Sequence, residues 1–571
     1  QDRPRMTLAE CTYRMFNAPT PGTIDRAASL GCNWVIVHSA GIESGLVDDD
    51  SGRPMDMFPI YFEDYGDVAR YRHANDAVWL EPLRDEVTAL CERANGHGLS
   101  VAFHMYEPTL PLVFEEMYPE IVGCWDRPTQ MGTWPYHSHL DPDNPATWEL
   151  MRRKYAELAR DFPRMRMVIL STWDGAGSRW CIPEARMPVH RRLVMQVEAA
   201  TEGVRSVRSD VVVCFRLWGR NWPAAMYRDS HRMIEQITGL ENATRYMLPI
   251  CRPHNDPDVI LRRLFDELPP DVPIMYKSTR FDIADAQPLT LAAGTYPRDR
   301  RQILEVSYEL YHRKPWPWSK VAHIRRGLAA VVEHELDGFL ALPINMGNNE
   351  RSIEPEKGNL GRMNTWMLEQ LLAGDTRSDR ELVAAWLERE FGGPQPDVAA
   401  DVLLEADDIV DQGIQWGGGV YQHRRFESLH NTKLAWMFTG FVDPAFPYRM
   451  AEAMPEVLER QIAMRHDAHE RARRNVQGIE AAKAEMHPDL FDALHRGYAT
   501  LADYIFLARD WYSYILMQYG IERGVLGSDR RTLARMSRYV ERFVANLVKL
   551  RDTEAGAMAM RDVNVPDPFI V

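Results

Sequence analysis

The sequence predicts an α/β protein, a (β/α)8 TIM barrel followed by an all-α C-terminal domain. Three observations predict this fold. Short strand-like segments alternate with longer segments of helical period over the first two-thirds of the chain. These strand-like segments number about eight, as a closed barrel requires. From about Thr376 onward the period is helical, with almost no strand signal. We therefore expect a catalytic barrel over 1–372 and a helical domain over 373–571.

The predicted strands are short runs rich in β-branched and aromatic residues. In chain order they are CTYRMFN, NWVIVHS, LSVAFHMY, MRMVILSTWD, VVVCFRLW, VPIMYKST, ILEVSYEL and GFLALPIN. Longer helical segments precede most of them, for example LEPLRDEVTALCERANGHG and TWELMRRKYAELARDF. Such alternation predicts a parallel sheet. The segment RYMLPICR is a ninth candidate strand, which this order does not place.

The C-terminal domain is predicted to consist of long helices. Their segments begin with DRELVAAWLEREFGG and end with RTLARMSRYVERFVANLVKLRDTE. The later helices are rich in large apolar side chains, namely Tyr504, Phe506, Trp511, Tyr512, Tyr514 and Met517. Such stripes are most often intramolecular core and less often a dimer surface.

The composition is that of a globular protein rather than a nucleic-acid binder. The 571 residues carry a formal net charge of -15, which argues against a nucleic-acid partner. We find no apolar run long enough to cross a bilayer and no signal peptide. The seven cysteines are scattered without CxxC spacing, so buried free thiols are expected. These cysteines favour a cytoplasmic location. The first residue is Gln1 rather than methionine, so a periplasmic location is the alternative if a leader was removed.

Charged and aromatic side chains follow the predicted strands, where the active site of such a barrel lies. They are Arg14, Asn17, His38, His104, Tyr106, Glu107, Trp173, Asp174, Arg216, Trp218, Lys277, Arg280, Asp282, Glu305, Glu309, Asn345, Asn348 and Asn349. No Gly-rich phosphate loop, HExxH motif or Ser-centred elbow accompanies them, so we expect neither a cofactor nor a metal. His38 and His104 lack a third ligand at a telling spacing, which favours hydrogen-bonding or core roles.

Carboxylates combined with aromatic rings are typical of glycosidases, in which one carboxyl protonates the leaving oxygen and another activates water or attacks. Each candidate also has a structural alternative. Asp174 could be a turn residue before glycine. Asp282 could pair with Arg280 or cap the next helix. Glu305 lies early in its strand and could be an ion-pair partner, whereas Glu309 points to the same side nearer the mouth.

Several segments resemble a known enzyme family. RMFN, SLGCNWVIVHSA, STWDGAGS, CFRLW, YKSTRFDIADAQP and QILEVSYELY, together with GNLGRMNTWMLEQLLAGDTRSDRELVAAWLEREFGG, occur in this order. They resemble strands and the barrel-to-helix passage of the family 67 glycoside hydrolases. These are α-glucuronidases that remove (4-O-methyl)glucuronic acid from xylo-oligosaccharides. The likeness is collinear from about Tyr13 to about Gln422.

The resemblance implies a role for five of the candidates. Arg216 and Lys277 match residues that bind the uronic carboxylate, which arginine can bind bidentately. STWDGAGS implies Asp174 as the general acid, and YKSTRFDIADAQP implies Asp282 as the group that activates water. Glu309 is the preferred second base-side carboxylate, with Glu305 as the alternative. The other predicted substrate-binding residues are His104, Tyr106, Glu107, Trp173, Trp218, Arg280 and Asn345.

Four departures from the family pattern affect these expectations. Asp174 stands where the family has glutamate, which is one methylene longer. A further family lysine falls on Leu170 or Ser171, which leaves a less cationic pocket. The segment HMYEPTLP has no good counterpart in the family. The family's N-terminal β-domain, in turn, has no counterpart in this sequence.

The sequence thus predicts an exo-acting glycoside hydrolase, α-glucuronidase-like, that releases a sugar acid from an oligosaccharide by inversion. One alternative is a glycosidase for a neutral sugar, in which Lys277 and Arg216 are ion-pair partners. Another is a catalytically inactive carbohydrate-binding barrel. No nucleic-acid or membrane partner is expected. A homodimer is predicted through the helical domain, from about His430 onward.

Overall fold

Eight parallel strands pair in chain order and close into a barrel, with the last strand against the first. The computed structural model describes residues 7–40, 58–107, 110–111, 113–121, 141–172, 187–217, 263–277, 300–307, 317, 319–342, 361–413, 454–522, 524 and 526–553. The strands are β1 (Tyr13–Asn17), β2 (Trp34–Ala40), β3 (Ser100–Glu107), β4 (Met165–Thr172), β5 (Val212–Leu217), β6 (Ile274–Lys277), β7 (Gln302–Ser307) and β8 (Gly338–Leu342). All eight predicted strands are confirmed, and RYMLPICR lies outside the described residues.

Helices follow the strands as the sequence pattern predicts. They are α1 (Pro21–Ser29), α2 (Gly66–Tyr71), α3 (Ala77–Gly96), α4 (Val113–Met117), α5 (Pro145–Asp161), α6 (Val189–Val207), α7 (Val321–Glu333) and α8 (Gly361–Leu372). Local signals set their ends. The Asn144 side chain accepts a hydrogen bond from the Ala146 backbone and begins α5. Gly98 adopts a φ of 73°, which lets the chain turn from α3 into β3.

The C-terminal part of the chain is helical throughout its described residues. Its helices are α9 (Asp379–Phe391), α10 (Asp397–Gly413), α11 (Met454–Ala481), α12 (Pro488–Glu522) and α13 (Arg530–Arg551). On α12, Tyr504, Trp511 and Met517 are buried, and the Trp511 ring lies 4.8 Å from that of Phe543 on α13. For these residues the aromatic stripe is intramolecular core. The domain boundary after residue 372 stays a prediction.

A buried ion pair joins the barrel helices to the C-terminal helices. Lys320, the residue before α7, contacts the carboxylate of Asp407 on α10. Both side chains are buried. The Lys320 backbone N–H also donates to Asn364 Oδ1 on α8 across 2.7 Å. Three separate helices are therefore held at one point.

The barrel interior is filled according to the two-residue period of its strands. Apolar side chains form a cluster that includes Met15, Ile36, Ala102, Ile169, Cys214, Met275, Ile303 and Leu340. In a strand, residues two positions apart face the same side. In six strands the residue two positions after the apolar one is polar. Buried polar groups therefore lie next to the apolar cluster, toward the end at which the strands finish.

Candidate functional site

A layer of polar side chains lies at the end of the barrel interior toward which the strands run. We call it the polar layer; its described members are Asn17, His104, Ser171, Arg216, Lys277 and Glu305. All six side chains are buried. Each follows an apolar interior residue by two positions, as Arg216 follows Cys214. This is the end of a (β/α)8 barrel where active sites are built.

Arg216 and Glu305 form a buried two-bond ion pair within this layer. Arg216 Nη2 donates to Glu305 Oε1 across 2.7 Å, and Nε donates to the other carboxylate oxygen. The side chains are 2% and 0% exposed, respectively. Burying a charged pair costs free energy that only good geometry offsets, and the parallel two-bond arrangement provides it.

Ser171 connects the Arg216 guanidinium to His104. Arg216 Nη1 donates to Ser171 Oγ across 3.2 Å. Ser171 Oγ also hydrogen-bonds His104 Nε2, at 2.6 Å. Ser171 and Arg216 are paired in register on β4 and β5, so the contact is built into the sheet. The guanidinium is therefore held by β4 as well as by β7.

Lys277 adds a second cation beside the same carboxylate. It is paired in register with Glu305 on the neighbouring strand, and its Nζ lies 3.7 Å from Glu305 Oε1. Burial alone would raise the pKa of Glu305, but Arg216 and Lys277 outweigh it and hold the pKa below its usual value. Among the described members of the polar layer, two cations thus face one ionised carboxylate.

His104 is a neutral hydrogen-bonding group in this setting. Burial disfavours its charged form, and Arg216 and Lys277 repel it, so its pKa lies well below 6.5. Its ring also packs against Tyr106, with centroids 4.4 Å apart. Tyr106 is buried and lies two positions further along β3, which puts both rings on the barrel-facing side.

Glu107 lies on the opposite face of β3 from His104 and Tyr106. Its Oε1 accepts hydrogen bonds from Lys154 Nζ at 2.6 Å and from Tyr155 Oη at 2.5 Å, both on α5. Burial and the Glu107 carboxylate raise the pKa of Tyr155 well above its ordinary value. The structure therefore separates Glu107 from the polar layer, and its predicted role in substrate binding has no support from this placement.

A β-bulge moves His38 away from the interior. The β2–β3 register shifts between Ile36 and His38, so that His38 is paired with Phe103 and Ser39 with His104. The His38 ring packs edge-on against Phe103, 5.6 Å between centroids. Since Phe103 also contacts Phe162 after α5, His38 is on the helix-facing side. This agrees with the core role that the sequence favoured.

Arg14 lies at the other end of the barrel, contrary to its inclusion among the strand-end candidates. It is the second residue of β1. Its guanidinium donates to the backbone carbonyls of Ala9, Cys11 and Gly31, which precede the strands. Arg14 thus stabilises the entry into β1 and β2.

Several predicted site residues lie outside the described residues. They are Trp173, Asp174, Trp218, Arg280, Asp282, Glu309, Asn345, Asn348 and Asn349. Their chain positions nevertheless relate them to the strands. β4 ends at Thr172, one residue before Trp173, and β5 ends at Leu217, one residue before Trp218. Each of these residues follows, in the chain, either a strand that contributes to the polar layer or the neighbouring strand β8. Their roles remain predictions.

The described cysteines are buried thiols, as expected. Cys11, Cys32, Cys91 and Cys214 are free and buried. Burial raises the pKa of the Cys11 thiol to about 11 and that of Cys32 to about 12.

Within the described ranges, no group of three or more His, Cys, Asp or Glu side chains could hold a metal ion. In the same ranges, no helix has the length and apolar character needed to cross a membrane.

Comparisons with known proteins bear on the fold. No protein-family model matches the chain, and no curated protein does. A GH138 enzyme targeting pectin rhamnogalacturonan II matches with a TM-score of 0.51 and 12% identity, over 97% of this chain and 63% of that one. The likeness shows a shared fold. The chain spans 63% of the length of that enzyme, so its activity and substrate are matters of proposal for this chain.

Two further solved structures match at a TM-score of 0.37, which is too low to support an assignment. CpGH84B is 10% identical, with 97% of this chain and 77% of that one covered. A mutant O-GlcNAc hydrolase of Thermobaculum terrenum is 9% identical, with 97% and 94% covered. The resemblance to family 67 in particular is not shown by these comparisons.

Sequence reasoning missed two residues that the structure places in buried polar networks. Ser171 was noted only as a departure from a family pattern, although it follows Ile169 by two positions and therefore faces inward. Lys154, on α5, is buried against Glu107 and lies 3.8 Å from the centroid of the Phe58 ring. Its helical segment carries no signal that could distinguish it from a surface lysine.

Proposed function

We propose that the protein is an exo-acting glycoside hydrolase that releases a sugar acid from an oligosaccharide. The observation that carries this proposal is the charge of the polar layer at the barrel mouth. Arg216 and Lys277 face the single carboxylate of Glu305 among the described members. A pair of buried cations favours an anionic ligand, because interactions between charges are strong where water is excluded. The carboxylate of a uronic acid fits this requirement.

The proposed reaction is a single displacement with inversion. Asp174 protonates the glycosidic oxygen, while Asp282 and Glu309 orient and deprotonate a water molecule on the opposite face of the sugar. Their attachment to the strands supports these roles. Asp174 follows β4, Asp282 follows β6, and Glu309 follows β7. These strands also carry polar-layer residues, so the three carboxyl groups are expected around one mouth.

Recognition of the sugar acid is assigned to Lys277 and Arg216 together. The Glu305 pair orients the Arg216 guanidinium, and Ser171 holds it from a second strand. His104 is neutral and contributes hydrogen bonding rather than charge. The proposed carboxylate site therefore offers a ligand two cationic groups, the Lys277 ammonium and the oriented Arg216 guanidinium.

One alternative function has an observation in its favour. The Arg216 guanidinium is already engaged by two hydrogen bonds to Glu305 and one to Ser171. A glycosidase for a neutral sugar, with both cations as structural partners of Glu305, is consistent with that pairing. Activity on neutral glycosides with none on uronides would establish this alternative.

Turnover on a defined panel tests the proposal. The substrates are 4-nitrophenyl α-D-glucuronide, aldouronic oligosaccharides, matching neutral glycosides and, in view of the GH138 likeness, pectic oligosaccharides. We expect release of a free uronic acid by the wild type. Asp282→Asn should reduce turnover by about 10²–10⁴-fold, as expected for loss of a catalytic acid or base. Binding of these glycans with no turnover on any of them would instead indicate a carbohydrate-binding barrel.

We also propose that the protein is a homodimer assembled through its C-terminal helices. Supporting this, α13 exposes large apolar side chains at Leu533, Val544 and Val548, whose spacing puts them on one side of the helix. Light scattering at micromolar concentration should give twice the chain mass of 65.8 kDa. A mass of 65.8 kDa would show a monomer.

A further inference from the structure

Glu305 occupies an unusual position for a carboxylate that exchanges protons. It lies on the interior face of β7, two residues after Ile303, and is fully buried. Arg216 donates a hydrogen bond to each of its two oxygens. Lys277 lies 3.7 Å from one of them. Both oxygens are thus engaged by protein donors before any substrate binds.

A catalytic carboxylate needs a different environment. A general base must direct a lone pair at the water it deprotonates, and its pKa should be close to the working pH. Arg216 and Lys277 favour the ionised form of Glu305 strongly enough to outweigh the effect of burial. The pKa of Glu305 is therefore lowered. A carboxylate held in this way is a weak base, and it cannot donate a proton as an acid at neutral pH.

We propose that Glu305 is a positioning residue that orients Arg216 and Lys277 for an anionic ligand, and that it exchanges no proton with substrate or water. This inference rests on the proposed function. It leaves Glu305 out of the base-side carboxylates of the proposed reaction.

Ser171 supports the same arrangement from the other side of the guanidinium. Its Oγ accepts a hydrogen bond from Arg216 Nη1 at 3.2 Å and is itself hydrogen-bonded to His104. With Glu305 on β7 and Ser171 on β4, the guanidinium plane is fixed from two strands. Loss of Glu305 removes the bidentate contact and one negative charge beside two buried cations, so chloride from the buffer should bind there more readily.

The variants Glu305→Gln and Glu305→Asp test this role on 4-nitrophenyl α-D-glucuronide. For Glu305→Gln we expect the KM to rise by about tenfold or more, while kcat changes less. The inflections of the kcat–pH profile should stay in place. The KM should increase with chloride concentration more steeply than that of the wild type, and Glu305→Asp, which keeps the charge, should restore part of the chloride resistance.

A matched control is available in the helical region. Asp510 on α12 is likewise a fully buried carboxylate held by arginines, with Arg542 Nε 2.8 Å from Oδ2 and Arg509 Nη2 2.8 Å from Oδ1. Asp510→Asn reports the general consequence of removing a buried charge partner. We expect it to lower thermal stability without making KM dependent on chloride.

The outcomes separate this inference from the proposed function. A fall in kcat of about 10²–10⁴-fold for Glu305→Gln, with loss of the acidic inflection and an unchanged KM, would show that Glu305 transfers a proton.

If the wild type hydrolyses no uronide but binds D-glucuronate in a calorimetric titration, hydrolysis fails as the function and the positioning role is judged by binding. Weaker, chloride-sensitive binding by Glu305→Gln would then support it, and unchanged binding would refute it. Absence of both turnover and binding would overturn both.

Discussion

Arg216 on β5 and Glu305 on β7 are joined by two hydrogen bonds that pass above the intervening strand β6, with Nη2 2.7 Å from Oε1. Lys277, the last residue of β6, lies beside the pair, 3.7 Å from the same oxygen. Three consecutive strands are therefore connected through one carboxylate. This arrangement makes the pair both a structural element of the barrel and the floor of the proposed ligand site.

Removing one member of this pair should be costly, whereas removing both should be less so. Arg216→Met leaves Glu305 buried with only Lys277 as a cationic partner among the described residues. We expect it to lower the free energy of unfolding by about 3–5 kcal/mol. The double variant Arg216→Met/Glu305→Gln should be more stable than the sum of the single variants predicts. Urea unfolding of the four proteins measures this coupling, and simple additivity would contradict the account.

The sequence predicted the barrel well because such a fold repeats one local pattern, a short strand-like segment that alternates with a helical one. Strand segments could be recognised from composition, and the position of Arg216 and Lys277 at the ends of their strands made them site candidates. The role of Glu305 could not be deduced in the same way. It depends on which cations lie across neighbouring strands, and those contacts are separated by up to 89 residues in the chain.

The positions of His38 and Glu107 have specific physical causes that the sequence does not reveal. The bulge in β2 shifts the alternation by one residue and turns His38 outward, which no local composition signalled. Glu107 is among the strand-end candidates, but it directly follows Tyr106 and therefore lies on the helix-facing side of β3. Its partner Lys154 comes from α5, and that tertiary contact could not be deduced from the sequence.

His104 should make the protein less stable in mild acid. Its pKa in the folded state lies well below 6.5, the value expected for an unfolded chain. Below about pH 6.5 the unfolded chain therefore binds a proton that the folded chain does not, and stability falls as pH decreases. The contribution is at most about 1.4 kcal/mol per pH unit. His104→Gln should lose less stability than the wild type between about pH 7 and about pH 5.5 in chemical denaturation. Equal losses would show that His104 is protonated in the folded protein.

The ion pair between Lys320 and Asp407 should be important for holding the helical part to the barrel. Lys320→Met leaves a buried carboxylate without this partner and should destabilise the protein by about 3–5 kcal/mol. Replacing both residues, as Lys320→Met/Asp407→Leu, should recover most of that loss, because an apolar pair avoids the cost of desolvating charge. Scanning calorimetry of the two variants provides the measurement. A double variant no more stable than Lys320→Met would contradict this explanation.

The stereochemistry of the product tests the proposed single displacement. Inversion requires roughly 6.5–9.5 Å between the acid and base-side carboxyl groups, which leaves room for water. An α-glucuronide should then release the β-anomer of glucuronic acid first, before mutarotation. Proton NMR spectra recorded during the first minutes of reaction distinguish the anomers. Initial formation of the α-anomer would indicate retention and a covalent intermediate.

The most direct test of the central claim is the preference for an anionic sugar, measured as kcat/KM on 4-nitrophenyl α-D-glucuronide relative to 4-nitrophenyl α-D-glucoside. The account predicts that the wild type strongly prefers the glucuronide. It also predicts that Lys277→Met reduces that preference by about tenfold or more, since a charge-assisted contact is lost. Activity on the glucoside serves as the internal control for folding and for the catalytic carboxylates. A wild type that prefers the glucoside, or a Lys277→Met variant that loses activity equally on both substrates, would contradict the claim that the polar layer recognises a sugar acid.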